Sequence, residues 1–191
     1  MALHPVAQVG WTGWSIHWST VIGIAGLAAL YLWRASHAPE SGTPTGGQKL
    51  TFFAGLFVMF VTLNGPLHDL SDSFLFSAHM VQHLLLTLLL PPLLIAGTPG
   101  WMLRPLIRTR AVRAVAEFVL RPVMCYVIFN LVFIGWHLPM FYNAAMANHN
   151  IHIGEHLMFM AAAVLMWWPF LSPLPELPRL AYPGQILYCF L

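Results

Sequence analysis

Charge is what this chain most lacks. Only 7% of its 191 residues are Asp, Glu, Lys or Arg, against roughly 25% in an ordinary soluble domain, while 59% are hydrophobic. Water is therefore not its main solvent. Eight Lys plus Arg against six Asp plus Glu leave a formal net charge of +2, too few basic groups to cover a phosphate backbone, and no nucleic-acid partner is expected. Cysteine is almost absent as well. Cys125 and Cys189 sit in apolar segments without CxxC spacing, which argues against a disulfide framework or a thiolate metal site and leaves both as small core residues. Residues 1–15 contain no Lys or Arg, so the basic start of a secretory signal peptide is missing and the first apolar segment is expected to be retained.

What the chain has in quantity is apolar sequence. A hydrocarbon core about 30 Å thick takes roughly 20 mostly apolar helical residues, and five segments meet that demand: 16–33, 50–66, 74–96, 122–141 and 151–171. Their length and periodicity favour helices over barrel strands, because spanning segments must satisfy their backbone groups internally. The expected fold is all-α, a polytopic transmembrane helix bundle forming a single domain over 1–191. A sixth apolar run at 181–191 covers only about half the hydrocarbon thickness at 1.5 Å per residue. It is expected to be a truncated span, with the domain incomplete at its C-terminus.

Loop charge sets the expected orientation. Arg34 and Lys49 lie in the first loop, Arg104, Arg108, Arg110, Arg113 and Arg121 in the third, and Arg179 in the fifth, whereas the N-terminal tail and the second and fourth loops carry no basic residue. The positive-inside rule then puts the N-terminus outside. The connector APESGTPTGG at 38–47 is expected to be a flexible cytoplasmic loop. Arginines alternating with apolar residues over 101–120 suit an amphipathic helix at the inner membrane surface or a plain positive-inside anchor. Trp11, Trp14 and Trp18 fall at the expected outer edge and Trp101, Trp167 and Trp168 at the inner edge, as belt residues do.

On that topology nine of the ten histidines gather at outer helix ends: His4, His17, His68, His79, His83, His137, His149, His152 and His156, with His37 alone on the cytoplasmic side. Histidine in or beside a membrane span is costly unless it meets a cavity, a partner or a metal. In AHMVQH, His79 and His83 are four apart and share one helical face. His149, His152 and His156 fall within an arc of about 60°, with Glu155 at its border. His137, in GWHLP, stands near the end of the fourth span, where Pro139 would break the helix. His68 and Asp69 close the second span on the same side.

Imidazole suits Cu, Zn, Fe and Ni, and nearby methionines (Met80, Met140, Met146, Met158) tilt slightly toward copper, although methionine at helical spacing is more often packing. Two i,i+4 histidine pairs and a third-helix histidine at one depth favour a bound metal or haem. Bis-histidine haem ligation, as in an electron carrier, is the main alternative. HIGEH at 152–156 also spells HxxEH, in which two histidines hold zinc and the glutamate is a general base, a remote alternative as an intramembrane metallopeptidase. A structural scaffold with histidines paired among themselves would bind no metal.

Several motifs together resemble the CtaG-type cytochrome c oxidase assembly factors, multi-span proteins of the bacterial inner (plasma) membrane. They are HMVQHLLL from His79, Pro91 with GTP at 97–99, WHLPMFY from Trp136, HxxEH from His152 and WWP from Trp167. The resemblance implies a non-enzymatic role in maturing a haem-copper oxidase, with copper handled on the outer side and a cytochrome c oxidase subunit or copper chaperone as partner besides the lipid bilayer. It carries His79, His83, His137, His152 and His156 over as metal ligands. His68, His149 and Glu155 stand as secondary candidates, and relatives continue through further C-terminal helices.

Overall fold

The computed structural model describes residues 15–39, 42–73 and 76–190. His4, Trp11 and Trp14 lie outside them. Among the described residues every regular element is helical. The long elements are α1 (Trp18–Ser36) and α2 (Gly46–Leu63), α4 (Phe76–Leu84) running through a π-turn (Leu85–Leu89) into α5 (Leu90–Gly97), α8 (Pro122–His137) and α10 (His149–Leu171). The short ones are α3 (Pro66–Ser73), α6 (Gly100–Leu103), α7 (Arg110–Val119), α9 (Pro139–Ala147) and α11 (Tyr182–Tyr188).

Among the described residues four helices are long and apolar enough to cross a membrane: α1, α2, the composite Phe76–Gly97 and α10. The fourth expected span is the one that differs. Pro139 ends α8 at His137 and starts α9, while α7 and α8 meet at a 75° bend. The count is four, or five if the bent pair is one span.

Other expectations shift for local reasons. Pro105 confines the turn Arg104–Ile107 to a 3₁₀ geometry, so the amphipathic helix covers Arg110–Val119 rather than all of 101–120. The connector 38–47 ends in order: Thr45 and Gln48 form a reciprocal capping box at 3.0 and 3.1 Å that starts α2 at Gly46. The loop after α2 is itself helical, because Gly65 takes a positive φ of 75° and lets Pro66 begin α3. Within 181–191 the helix is Tyr182–Tyr188. Cys125 is buried as expected, but Cys189 is exposed and not a core residue.

Two apolar clusters hold the bundle. Tyr31, Phe52, Leu56 and Met102 pack at the arginine-bearing pole, where the Tyr31 hydroxyl donates to the Gly97 carbonyl at 3.0 Å and Arg34 lies over Trp101. Leu63, Leu86, Leu90 and Met160 form a layer nearer the opposite pole. Gly97 permits a close backbone approach between α5 and α2, since a Cβ there would stand 2.5 Å from the Phe52 nitrogen. Small residues let membrane helices pack at such distances.

Candidate metal centre

The histidine pole is assembled by polar ties that the helix ends supply. Asn64, fully buried, accepts the His17 backbone N–H at 2.8 Å and donates to the Phe60 carbonyl at 3.1 Å. The Ser15 hydroxyl donates to Asp69, and the Gly65 N–H to the Ser15 carbonyl at 3.0 Å. The start of α1 is thereby fixed over α3, and the His17 ring meets His68 edge-on with centroids 4.4 Å apart. On the other flank His17 stacks on His149 at 5.8 Å.

The π-turn beginning at Leu85 positions the next pair. A π-turn breaks the regular ladder and is common at functional sites. Here the Thr87 hydroxyl donates to the His83 carbonyl at 2.6 Å, and the Trp167 indole N–H reaches the Thr87 carbonyl at 2.8 Å. Trp167 is thus a half-buried tie between α10 and the π-turn, not simply a belt residue.

Two groups of three histidines result among the described residues. In one, ligand atoms of His79, His83 and His137 all lie within 4.8 Å of one another; in the other, those of His68, His152 and His156 do. The i,i+4 pairs face each other through Nε2, at 2.7 Å for His79–His83 and 3.0 Å for His152–His156. The groups abut, with the His83 and His156 rings 6.3 Å apart. Phe159 fills the space beside His83 at 4.6 Å.

The donor set fits a small cation. Two imidazole nitrogens bound to one tetrahedral ion at about 2.0–2.1 Å stand roughly 3.3–3.4 Å apart, so each Nε2 pair needs to open by only about half an ångström. Nδ1 of His83 is buried without a hydrogen-bond partner, a state that costs about 1–3 kcal/mol in an apolar core. Nδ1 of His137 donates to the Phe133 carbonyl at 2.6 Å, leaving Nε2 as a lone pair; ligating histidines are commonly oriented this way. Glu155, buried, lies 3.8 Å from Nδ1 of His152, which puts a carboxylate behind that ligand.

His79, His83, His137, His152 and His156 therefore converge on one pole but in two groups, and His68 completes the second. His149 is exposed and stacks on His17 outside both groups. Met140 and Met158 are largely exposed and stand outside both sets. Two contributors were missed from the sequence. Gln82, fully buried, donates to Nδ1 of His68 at 3.1 Å; its position one residue before His83 was the available signal. His17, counted only as one of the outer histidines, borders a cavity of about 510 Å³ together with His68, His149, His152 and His156. The remaining wall of that cavity is mostly aliphatic, from Ile24 and Leu27 on α1 to Leu157 and Met160 on α10.

Over residues 24–191 the sequence matches the family described as cytochrome c oxidase caa3 assembly factor (Caa3_CtaG). The chain belongs to that family. The curated proteins and the solved structures give no match. As an assembly factor of this family, the chain has its histidine groups and its apolar helices in a context of oxidase maturation at a membrane.

Proposed function

We propose that this assembly factor binds copper at its histidine pole and passes it to a cytochrome c oxidase subunit or a copper chaperone, without catalysing a reaction. The observation that carries the reading is the pair of three-histidine groups, mostly buried, within an apolar helical protein of an oxidase-assembly family. Neutral imidazoles accept copper without a thiolate, and their modest hold suits an ion that must leave again. The protein sits in the bacterial inner membrane with the histidine pole outside, because the arginines collect at the other pole.

The packing supports an ion over the alternatives. A haem requires a flat slot between two histidines, whereas His83 is closely paired with His79 and flanked by Phe159. A peptidase glutamate would face the metal-bound water, whereas Glu155 lies at the Nδ1 side of His152. The test is metal analysis with an absorption spectrum on detergent-purified chain, beside a variant with His79, His83, His152 and His156 changed to Ala. Stoichiometric copper lost in the variant is expected; a strong Soret band, or no metal in either protein, would overturn the reading.

A further inference from the structure

We infer that the chain holds two ions in series, one at each three-histidine group, and that Gln82 keeps the His68 group the weaker of the two. The inference rests on the copper reading above. No histidine is shared between the groups: His79 and His83 come from α4 and His137 from the end of α8, while His68 comes from α3 and His152 and His156 from α10. The rings of His83 and His156, one from each group, are 6.3 Å apart, close enough for an ion to move from one set of nitrogens to the other.

The groups differ in where their protons sit. At His137 the carbonyl of Phe133 can only accept, so the proton is on Nδ1 and Nε2 is ready to bind. At His68 the arrangement is opposite. The Gln82 amide oxygen takes the Ser71 hydroxyl at 2.8 Å, and its nitrogen donates to the Thr62 carbonyl at 3.0 Å and to Nδ1 of His68 at 3.1 Å. Flipping the amide would set two carbonyl oxygens against each other, so its orientation is fixed. With Nδ1 accepting, the neutral His68 ring carries its proton on Nε2. Ligation by His68 requires losing that proton or turning away from Gln82. Each Nε2–Nε2 pair also holds one proton that an ion must displace, so the His68 group bears this second cost on top of one that both groups share.

At 3.8 Å from Nδ1 of His152, Glu155 is beyond hydrogen-bond reach of that nitrogen, so it draws a cation to this same group without fixing the ring as Phe133 fixes His137. Attraction without a firm hold describes a transit site. Its place agrees: the His68 group borders the cavity that exposed His149 and half-buried His17 flank, whereas the other group ends on exposed His137. An ion would arrive past His17 and His149, pause at His68, His152 and His156, and settle at His79, His83 and His137.

Anaerobic titration of the full detergent-purified chain with cuprous ion, against a chromophoric cuprous chelator, tests this directly. The native chain is expected to take two equivalents in two phases. His137→Ala should leave one equivalent with the weaker affinity, and His68→Ala one with the stronger. Gln82→Glu, whose carboxylate accepts the proton of Nδ1, should strengthen the weaker phase about tenfold, and Gln82→Met should strengthen it less. Loss of fold cannot mimic a gain in affinity. A single equivalent abolished by either histidine change would overturn the two-site arrangement while leaving the copper reading standing; no binding by the native chain would overturn both. An unchanged or weakened second phase in both Gln82 variants would overturn the role of Gln82.

Discussion

His137 and Phe133 sit one helical turn apart, and the imidazole N–H of the first donates to the carbonyl of the second at 2.6 Å. That bond forms where Pro139 ends α8, so the break in the helix and the orientation of its last imidazole have one cause.

Copper held this way would compete with protons. Binding needs the ligating nitrogens as lone pairs, so cuprous affinity in the chelator competition assay should hold or fall, and never rise, as the pH is lowered from about 8 to about 5.5. A rise in affinity toward acid would mean that imidazoles are not the ligands.

Gly97 against Phe52 predicts a stability effect remote from the histidines. Gly97→Leu must push α5 from α2, because even a Cβ meets the Phe52 nitrogen at 2.5 Å, and overpacking of this kind costs about 1–3 kcal/mol. Gly135→Ala, where a Cβ meets nothing within 4 Å, should leave thermal unfolding in detergent unchanged or slightly improved. Equal melting temperatures for the two variants would contradict the close approach.

Trp167→Phe keeps an aromatic ring but removes the donor to the Thr87 carbonyl. Leaving that carbonyl unsatisfied should cost about 1–3 kcal/mol and loosen the π-turn after His83. The expected outcome is a lower melting temperature together with weaker copper binding. Full retention of both would show that the tie contributes nothing.

The arginine pole predicts a topology. With Cys125 and Cys189 replaced by Ser, a cysteine introduced at Asn150 should react with a membrane-impermeant maleimide in intact cells, and one at Arg108 only after lysis. On α7, a spin label at Val115 should be accessible to oxygen in the bilayer and one at Arg113 to a water-soluble nickel chelate, as a helix lying at the interface requires. The reverse pattern at either pair would refute the orientation.

Much of this was legible in the sequence. Apolar length marked α1, α2, the composite Phe76–Gly97 and α10, and helical spacing paired His79 with His83 and His152 with His156, because both follow from one helix at a time. The division into two groups did not follow, since it depends on how α3, α4, α8 and α10 rotate against one another. The π-turn was hidden for a related reason: LLTLL has no local signature, and the turn is stabilised by Trp167, 80 residues from Thr87. Gln82 was overlooked because its place beside His83 marks the pole but not its three partners, which lie on other parts of the chain.

Beneath the histidines, Leu63, Leu86, Leu90 and Met160 form an aliphatic floor. An ion leaving the imidazoles in that direction would shed every ligand in a medium that solvates charge poorly, a barrier of several kcal/mol. On the proposed copper reading, a protein so built would receive and surrender its cargo on one face of the bilayer. It would serve as a dock, with the membrane potential sealed while the ion changes hands.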